Sequence, residues 1–69
     1  MAVLKAKFGR RLMQVRRAQG LTQEQLAAKT ELTIETISNI ERGVHAPRFN
    51  TLEKIADSLE LHVKELFQF

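Results

Sequence analysis

One short segment of the chain carries side chains that could read the edges of nucleic-acid bases. At helical spacing, residues 34–41 place four such side chains on one face and turn the apolar Ile37 away from it. These four are Ile34, Glu35, Ser38 and Asn39. Asn39 could pair with adenine through two hydrogen bonds, Glu35 could accept from cytosine, and Ile34 could pack on a thymine methyl. The alternative is an ordinary solvated helix face, so the surrounding elements must decide between the two interpretations.

Catalytic chemistry has little support in this sequence. There are two histidines, His45 and His62, and no cysteine. Neither histidine has the spacing of a metal ligand, and no Ser-His-Asp arrangement or glycine-rich phosphate loop is present. We therefore predict no catalytic residue, no metal site, no cofactor and no small-molecule ligand. A small hydrolase is the least favoured of the functions considered.

Two short helices joined by a tight turn would position the polar face. Thr22 is a good N-cap, and Gln25, three residues later, can complete a capping box with it. Thr33 repeats the same capping pattern before the next helix, and a glycine ends that helix. The expected bounds are Gln23–Lys29 for helix two, Ile34–Glu41 for helix three and residues 22–42 for the pair. Such a pair is a helix-turn-helix candidate.

Two segments resemble the Cro/CI family, also described as lambda-repressor-like or XRE-type: LTQEQLAAKTELTIETISNIERG and APRFNTLEKIADSL. The resemblance rests on the Thr-Gln opening, the Leu-Ala pair, the Ile-Glu-Arg-Gly close and Pro47, and it covers about residues 8–67. It implies an all-α, five-helix DNA-binding domain whose third helix enters the major groove. It also points to the positions of Ile34, Glu35 and Asn39 as base-reading ones.

The sequence departs from the family pattern at two helix ends. Glu31 and Glu60 stand where the family usually has glycine. Both positions typically require a left-handed backbone, which a side chain with a Cβ disfavours. We therefore expect local strain at both residues.

Contacts to the DNA backbone are expected around helix three. Gln23 stands at the start of helix two, where free N–H groups favour an anion, and the resemblance implies that it bonds a phosphate oxygen. The further candidates are Thr22, Thr33, Thr36, Arg42, Arg48, and Arg10 or Arg17 from helix one. A DNA contact is favoured for Gln23 and Arg48, whereas a solvated charge is an equal alternative for any other single arginine. Glu35 could instead orient Arg42 or select against wrong sequences.

The family pattern also pairs Glu41 with Arg16. Glu41 is an anion in the last turn of helix three, where the helix dipole is unfavourable to it unless a cation is close. A pair with Arg16 would tie helix one to helix three. The alternative is an exposed glutamate.

Charge and composition are consistent with one small DNA-binding domain. The net charge is +3, residues 1–19 carry six basic and no acidic residues, and residues 50–69 carry two basic and four acidic ones. A basic N-terminal segment and an acidic C-terminal segment suit a protein that approaches a polyanion from one side. The 69 residues predict a single domain over 1–69. The lack of cysteine and of a long apolar run predicts a cytoplasmic protein without membrane contact.

The flanking segments are expected to complete the core and to provide an interface. Helix one should run from Val3 or Lys5 to Gln19 with Leu4 on its inner face, and helix four should start at an Asn50 cap that forms a box with Glu53. Phe49 is expected in the core, and Gly9 is expected at a close helix crossing. A last short helix from about His62 leaves Val63 and Phe69 as surplus apolar residues, which predicts a homodimer built from helices four and five.

These observations predict a sequence-specific DNA-binding transcriptional regulator that acts as a homodimer. The alternative is a protein-interaction module, or an antitoxin-like partner, that uses the same fold with weak or non-specific DNA binding.

Overall fold

The computed structural model describes residues 3–69, and this part of the chain forms four α-helices and one 3₁₀ helix without any strand. The helices are α1 (Val3–Ala18), α2 (Gln23–Thr30), α3 (Ile34–Glu41), α4 (Phe49–Ser58) and the 3₁₀ helix (Val63–Phe67). Met1 and Ala2, the first two residues of the predicted domain, lie outside the described residues. The all-α class is confirmed, but the prediction of five helices is only partly correct, because four elements are α-helices and the last is a 3₁₀ helix. None of the helices described is long and apolar enough to cross a membrane.

The interior is one cluster of apolar side chains to which all five elements contribute. Six large side chains in it are almost completely buried: Leu12, Leu26, Ile37, Ile55, Leu59 and Leu66. Burial of a Leu or Ile side chain contributes roughly 1.5–3 kcal/mol relative to exposure. The outer face of α3 is thus held in place by the packing of its inner face.

Gly9 allows α1 to cross α3 in close contact, as expected from the sequence. A Cβ at this position would collide with the carbonyl oxygen of Ile40 and would lie 2.7 Å from the carbonyl oxygen of Glu41. Real Cβ atoms do not approach backbone oxygens so closely. The crossing of α1 and α3 therefore requires glycine.

The two left-handed helix ends are confirmed. Glu31 has φ 59° and Glu60 has φ 56°. At each site the following residue donates back into the helix, from Leu32 N–H to the Ala27 carbonyl (3.0 Å) and from Leu61 N–H to the Ala56 carbonyl (2.9 Å). This is the hydrogen-bond pattern with which helices end at a left-handed residue. The tight turn between α2 and α3 is thus made without glycine.

The predicted start of helix four is wrong. The helix begins at Phe49, its N-cap is Arg48, and the Arg48 side chain makes no capping hydrogen bond. The Arg48 carbonyl already accepts from Leu52 N–H at 2.8 Å, so Asn50 lies inside the first turn, where it cannot form the predicted box with Glu53. The N–H groups at the start of α4 are consequently left without a side-chain cap.

Two apolar residues expected in the core are at the surface instead. Phe49 is 84% exposed and Leu4 is 59% exposed. Each lies in the first turn of its helix, and both line the same apolar groove at the surface. Helical periodicity identifies the inner side of a helix but not how far the core reaches along it.

We expect Glu31→Gly and Glu60→Gly each to stabilise the protein by roughly 1 kcal/mol, because glycine adopts the left-handed conformation without the clash of a Cβ. The matched control is Glu53→Gly, which makes the same change at an exposed site inside α4 and should destabilise by about 1 kcal/mol. Urea unfolding measures all three variants. Reduced stability of both left-handed variants would show that the glutamate side chains make contacts that outweigh the strain.

Candidate nucleic-acid interface

Helix α3 presents the four predicted base-reading residues on one surface. Its N-cap is Thr33, whose Oγ1 accepts from Thr36 N–H at 3.0 Å. Its buried side consists of Ile37, Ile40 and Glu41. The opposite side consists of the exposed Ile34 and Glu35 and the half-buried Ser38 and Asn39. A short helix packed in this way offers an apolar, an acidic, a hydroxyl and an amide group together.

A polar cleft of about 450 Å³ lies beside this face, between α3, the loop that follows it and the start of α4. Its lining includes Glu35, Thr36, Asn39, His45, Arg48 and Thr51. The loop folds over the end of α3 because Val44 N–H and His45 N–H both donate to the Asn39 carbonyl, at 2.9 and 3.3 Å. The sequence carried no signal for His45 or Thr51 here. Within residues 3–69, no group of three or more His, Asp or Glu side chains could hold a metal ion.

The Asn39 side chain already accepts a hydrogen bond from the residue that caps the C-terminus of α3. Arg42 Nη2 donates to Asn39 Oδ1 at 2.7 Å. The expectation that Glu35 could orient Arg42 is therefore not what the structure shows, since Arg42 turns to Asn39. Arg42 is the C-cap of α3, and a cation is favourable at that end of a helix.

A buried ion pair fixes the side of α3 that faces α1. Arg16 and Glu41 form two hydrogen bonds, Nε to Oε2 at 2.6 Å and Nη2 to Oε1 at 3.0 Å, and their side chains are only 8% and 2% exposed. Arg16 Nη1 also donates to the Leu21 carbonyl at 2.8 Å, just before α2. The predicted pair is thus present, and it reaches the entry to α2 as well.

Gln23 joins this network at the first residue of α2. Its Nε2 donates to Glu41 Oε1 at 3.0 Å, and the side chain is half buried. An amide nitrogen carries two N–H groups, so one remains for a second acceptor. The carboxylate of Glu41 therefore orients the side chain that was predicted to bind a phosphate.

The start of α2 is suited to an anion. The predicted capping box is confirmed, with Thr22 Oγ1 accepting from Gln25 N–H at 3.0 Å and Gln25 Oε1 accepting from Thr22 N–H at 2.8 Å. The box satisfies two of the four N–H groups at this helix end and leaves those of Gln23 and Glu24. Free N–H groups at a helix N-terminus attract phosphate.

The other predicted phosphate-binding residues are only partly brought together. Thr33 and Thr36 share a hydrogen bond between their hydroxyls at 2.9 Å, and Arg48 lies exposed at the cleft. Arg10 and Arg17 are exposed on α1 but do not line the cleft. Arg10 instead lines a separate depression with Lys7, Arg11, Gln14 and Phe69.

The two residues predicted for a dimer interface differ in their surroundings. Val63 is half buried and packs against the core. Phe69 is 56% exposed and lies against α1, with Lys7 Nζ 5.9 Å from its ring centre and the Phe67 ring 6.2 Å away, centre to centre. Only Phe69 therefore offers a large exposed apolar surface.

The fold and the site together define a helix-turn-helix DNA-binding domain. Helix α2 offers an anion-binding N-terminus, a tight turn follows it, and α3 exposes a face with hydrogen-bonding and apolar groups. These are the parts that such domains place against the phosphate backbone and in the major groove.

Comparison with known proteins supports the same class. The sequence profile of the Helix-turn-helix family matches residues 12–66, so the chain belongs to this family. It is 36% identical over 58 residues to the immunity repressor protein of Bacillus phage phi105, a match that covers 84% of this chain and 40% of the repressor. It is 35% identical over 63 residues to the control protein C.BamHI of Bacillus amyloliquefaciens, covering 90% of this chain and 78% of that protein.

A solved structure agrees with the family membership. The restriction-modification controller protein C.AhdI from Aeromonas hydrophila superimposes with a TM-score of 0.92 at 35% identity, and the match covers 96% of each chain. The resemblance to the Cro/CI type of helix-turn-helix protein is therefore confirmed. The chain spans two fifths of the length of the phage repressor and most of the length of the two control proteins.

We expect Arg16→Ala and Glu41→Ala each to destabilise the protein by about 3–5 kcal/mol, because either change leaves an uncompensated charge in the interior. The double variant should lose less than the sum of the single losses. The matched control is Arg17→Ala at the exposed neighbouring position, which should change stability by less than about 0.5 kcal/mol. Additive losses in the cycle, measured by urea unfolding, would show that the two side chains do not interact in solution.

Proposed function

We propose that this protein is a sequence-specific transcriptional regulator that binds operator DNA through α3 and acts as a homodimer, folded as one domain. The observation that carries the proposal is the joint placement of the α3 face and the N-terminus of α2. The Arg16–Glu41–Gln23 network holds both in one rigid arrangement. The same proposal implies a cytoplasmic location, since the protein must have access to DNA.

The phosphate backbone supplies most of the affinity in this proposal. Gln23 uses its free amide N–H, together with the N–H groups at the start of α2, to bond one phosphate. Arg48, at the other side of α3, neutralises a second phosphate next to the uncapped start of α4. Phosphate contacts on both sides fix the depth and angle of α3 in the groove but carry no sequence information.

Sequence is read by the exposed face of α3. Ile34 is 46% exposed at the start of the helix, where an aliphatic side chain can meet a thymine methyl. Glu35 makes no ion pair among the described residues, so its carboxylate can accept from the amino group of cytosine. The Glu35 carboxylate also repels phosphate groups. This repulsion disfavours DNA sequences and binding positions in which no hydrogen-bond donor faces Glu35.

The proposed dimer uses an apolar surface that borders the cleft. A groove of about 340 Å³ is lined largely by Leu4, Phe8, Pro47, Phe49, Leu52 and Phe67. Phe67 connects this groove to Phe69 through ring contact, so the exposed aromatic surface continues to the C-terminus. Large exposed apolar patches on small proteins mark interfaces. We assign the groove to a second copy of the chain, with Phe49 as its largest exposed side chain.

The position of this groove fits the proposed DNA binding. Ala46 and Pro47 line both the apolar groove and the polar cleft. A two-fold axis at the groove would therefore bring the two clefts close to each other, and we propose that both face one side of a duplex. Two half-sites about one helical turn apart require this arrangement.

The first test is selection from random-sequence DNA followed by affinity measurements on the selected site. We expect an inverted repeat, and we expect Asn39→Ala to weaken specific binding by about 1–3 kcal/mol while relaxing preference at one base pair per half-site.

Arg48→Ala should weaken binding to all sequences and reduce the salt slope by about 1 per contact. Binding without sequence preference, or none, would favour the protein-interaction or antitoxin-like alternative.

The second test concerns the dimer. Phe49→Ser should weaken dimerisation roughly tenfold or more, because the residue occurs twice in a two-fold interface. Val44→Ser is the matched control, since Val44 is 45% exposed but does not line the groove. Sedimentation at micromolar concentration, with and without a palindromic site, measures both variants. A wild-type protein that stays monomeric in both conditions contradicts the dimer.

A further inference from the structure

We propose that Arg42 sets the base preference of Asn39, so that the pair selects guanine where Asn39 alone would select adenine. This inference rests on the proposed function, because it concerns how α3 reads DNA. It gives Arg42 a role in specificity, beyond the phosphate contact that the sequence predicted.

The orientation of the Asn39 amide follows from the chemistry of its partner. A guanidinium group only donates hydrogen bonds, so the atom that faces Arg42 Nη2 at 2.7 Å must be the amide oxygen. The amide nitrogen, with its two N–H groups, then points away from Arg42. The bond thus determines which end of the amide is free.

Local structure holds the two residues in this relation. Asn39 is half buried at the cleft, and its carbonyl accepts from both Val44 and His45 N–H. Arg42 N–H donates to the Ser38 carbonyl at 3.0 Å. A separation of three residues places side chains next to each other on a helix. The backbone of each residue is therefore fixed, and the side chains meet without rearrangement.

The groups that Asn39 and Arg42 leave free to contact DNA are all hydrogen-bond donors. Asn39 contributes its N–H groups, and Arg42 contributes the guanidinium N–H groups that the bond leaves unused. Guanine presents two acceptors, O6 and N7, in the major groove, whereas adenine presents one acceptor and one donor. Adenine would have to donate to an amide oxygen that already faces a cation, and the guanidinium charge opposes that approach. The pair therefore matches guanine.

Two variants separate this inference from a phosphate contact by Arg42. Arg42→Ala frees the amide oxygen and should move the preference at the contacted base pair from guanine toward adenine. Asn39→Asp keeps an oxygen for Arg42 but removes the amide N–H groups, so it should reduce the guanine preference at the same position to what the remaining N–H groups of Arg42 provide. Arg48→Ala is the matched control, since it removes a guanidinium at the same cleft that makes no bond to Asn39.

Circular dichroism first shows that the wild type and the three protein variants are folded. The experiment then measures how well each single-base change of the selected operator DNA competes for binding to each of these four proteins. We expect the wild type to favour guanine over adenine about 5- to 150-fold at the position affected by Asn39→Asp, and we expect Arg42→Ala to remove or reverse that ratio. Arg48→Ala should lower all affinities and keep the ratio.

Three results overturn the inference while leaving the proposed function intact. They are a wild-type preference for adenine at that position, an unchanged base preference in Arg42→Ala with uniformly lower affinity, and no position affected by Asn39→Asp. A wild-type protein without sequence preference at any position overturns the proposed function, and this inference with it.

Discussion

The carboxylate of Glu41 is the group on which the arrangement of the DNA-binding elements depends. It accepts two hydrogen bonds from Arg16 on α1 and one from Gln23 at the start of α2, while belonging itself to the last turn of α3. A buried ion pair is not in itself evidence of net stability, because desolvation opposes the attraction. Its geometry is demanding, however, because three hydrogen bonds from two other elements must reach the same carboxylate. We therefore regard its main effect as fixing the angle between α2 and α3.

The close crossing of α1 and α3 makes this ion pair feasible. Gly9 contacts the backbone at Ile40 and Glu41, and Arg16 lies two turns further along the same face of α1. A bulkier residue at position 9 would push α3 away and would admit water to the pair, which would weaken it by raising the local dielectric. The small side chain and the ion pair thus support each other. The buried side of α3 is held by this packing, so its exposed side remains free for binding while the helix keeps its position.

Much of the fold was predictable because its signals are local. The caps at Thr22 and Thr33 depend on residues three positions away, and the left-handed ends at Glu31 and Glu60 follow from the family pattern. The errors are of two kinds: a local capping pattern at Asn50 that the chain does not use, and features that a short pattern does not determine. The exposure of Phe49 depends on which elements pack around it, and the bond between Arg42 and Asn39 depends on side-chain conformations that the residue types alone do not specify. Neither is encoded in a short pattern, so the exposed face of α3 could be predicted from sequence but the donor and acceptor arrangement on it could not.

The distribution of charge is consistent with the proposed homodimer. Of the six basic residues in 1–19, Arg16 is neutralised by Glu41, and Arg11 Nε is bonded to the Glu65 carbonyl at 2.9 Å. The other basic residues of this segment are spread over α1, whereas Arg42 and Arg48 are the arginines beside the exposed face of α3. A DNA-binding surface with few basic side chains gains affinity from a second, linked copy, because binding of the second copy to its half-site is then intramolecular. Ala46 and Pro47 lie in the wall shared by the cleft and the apolar groove. In the proposed dimer, the same short loop would therefore set both the contact between copies and the distance between their reading helices.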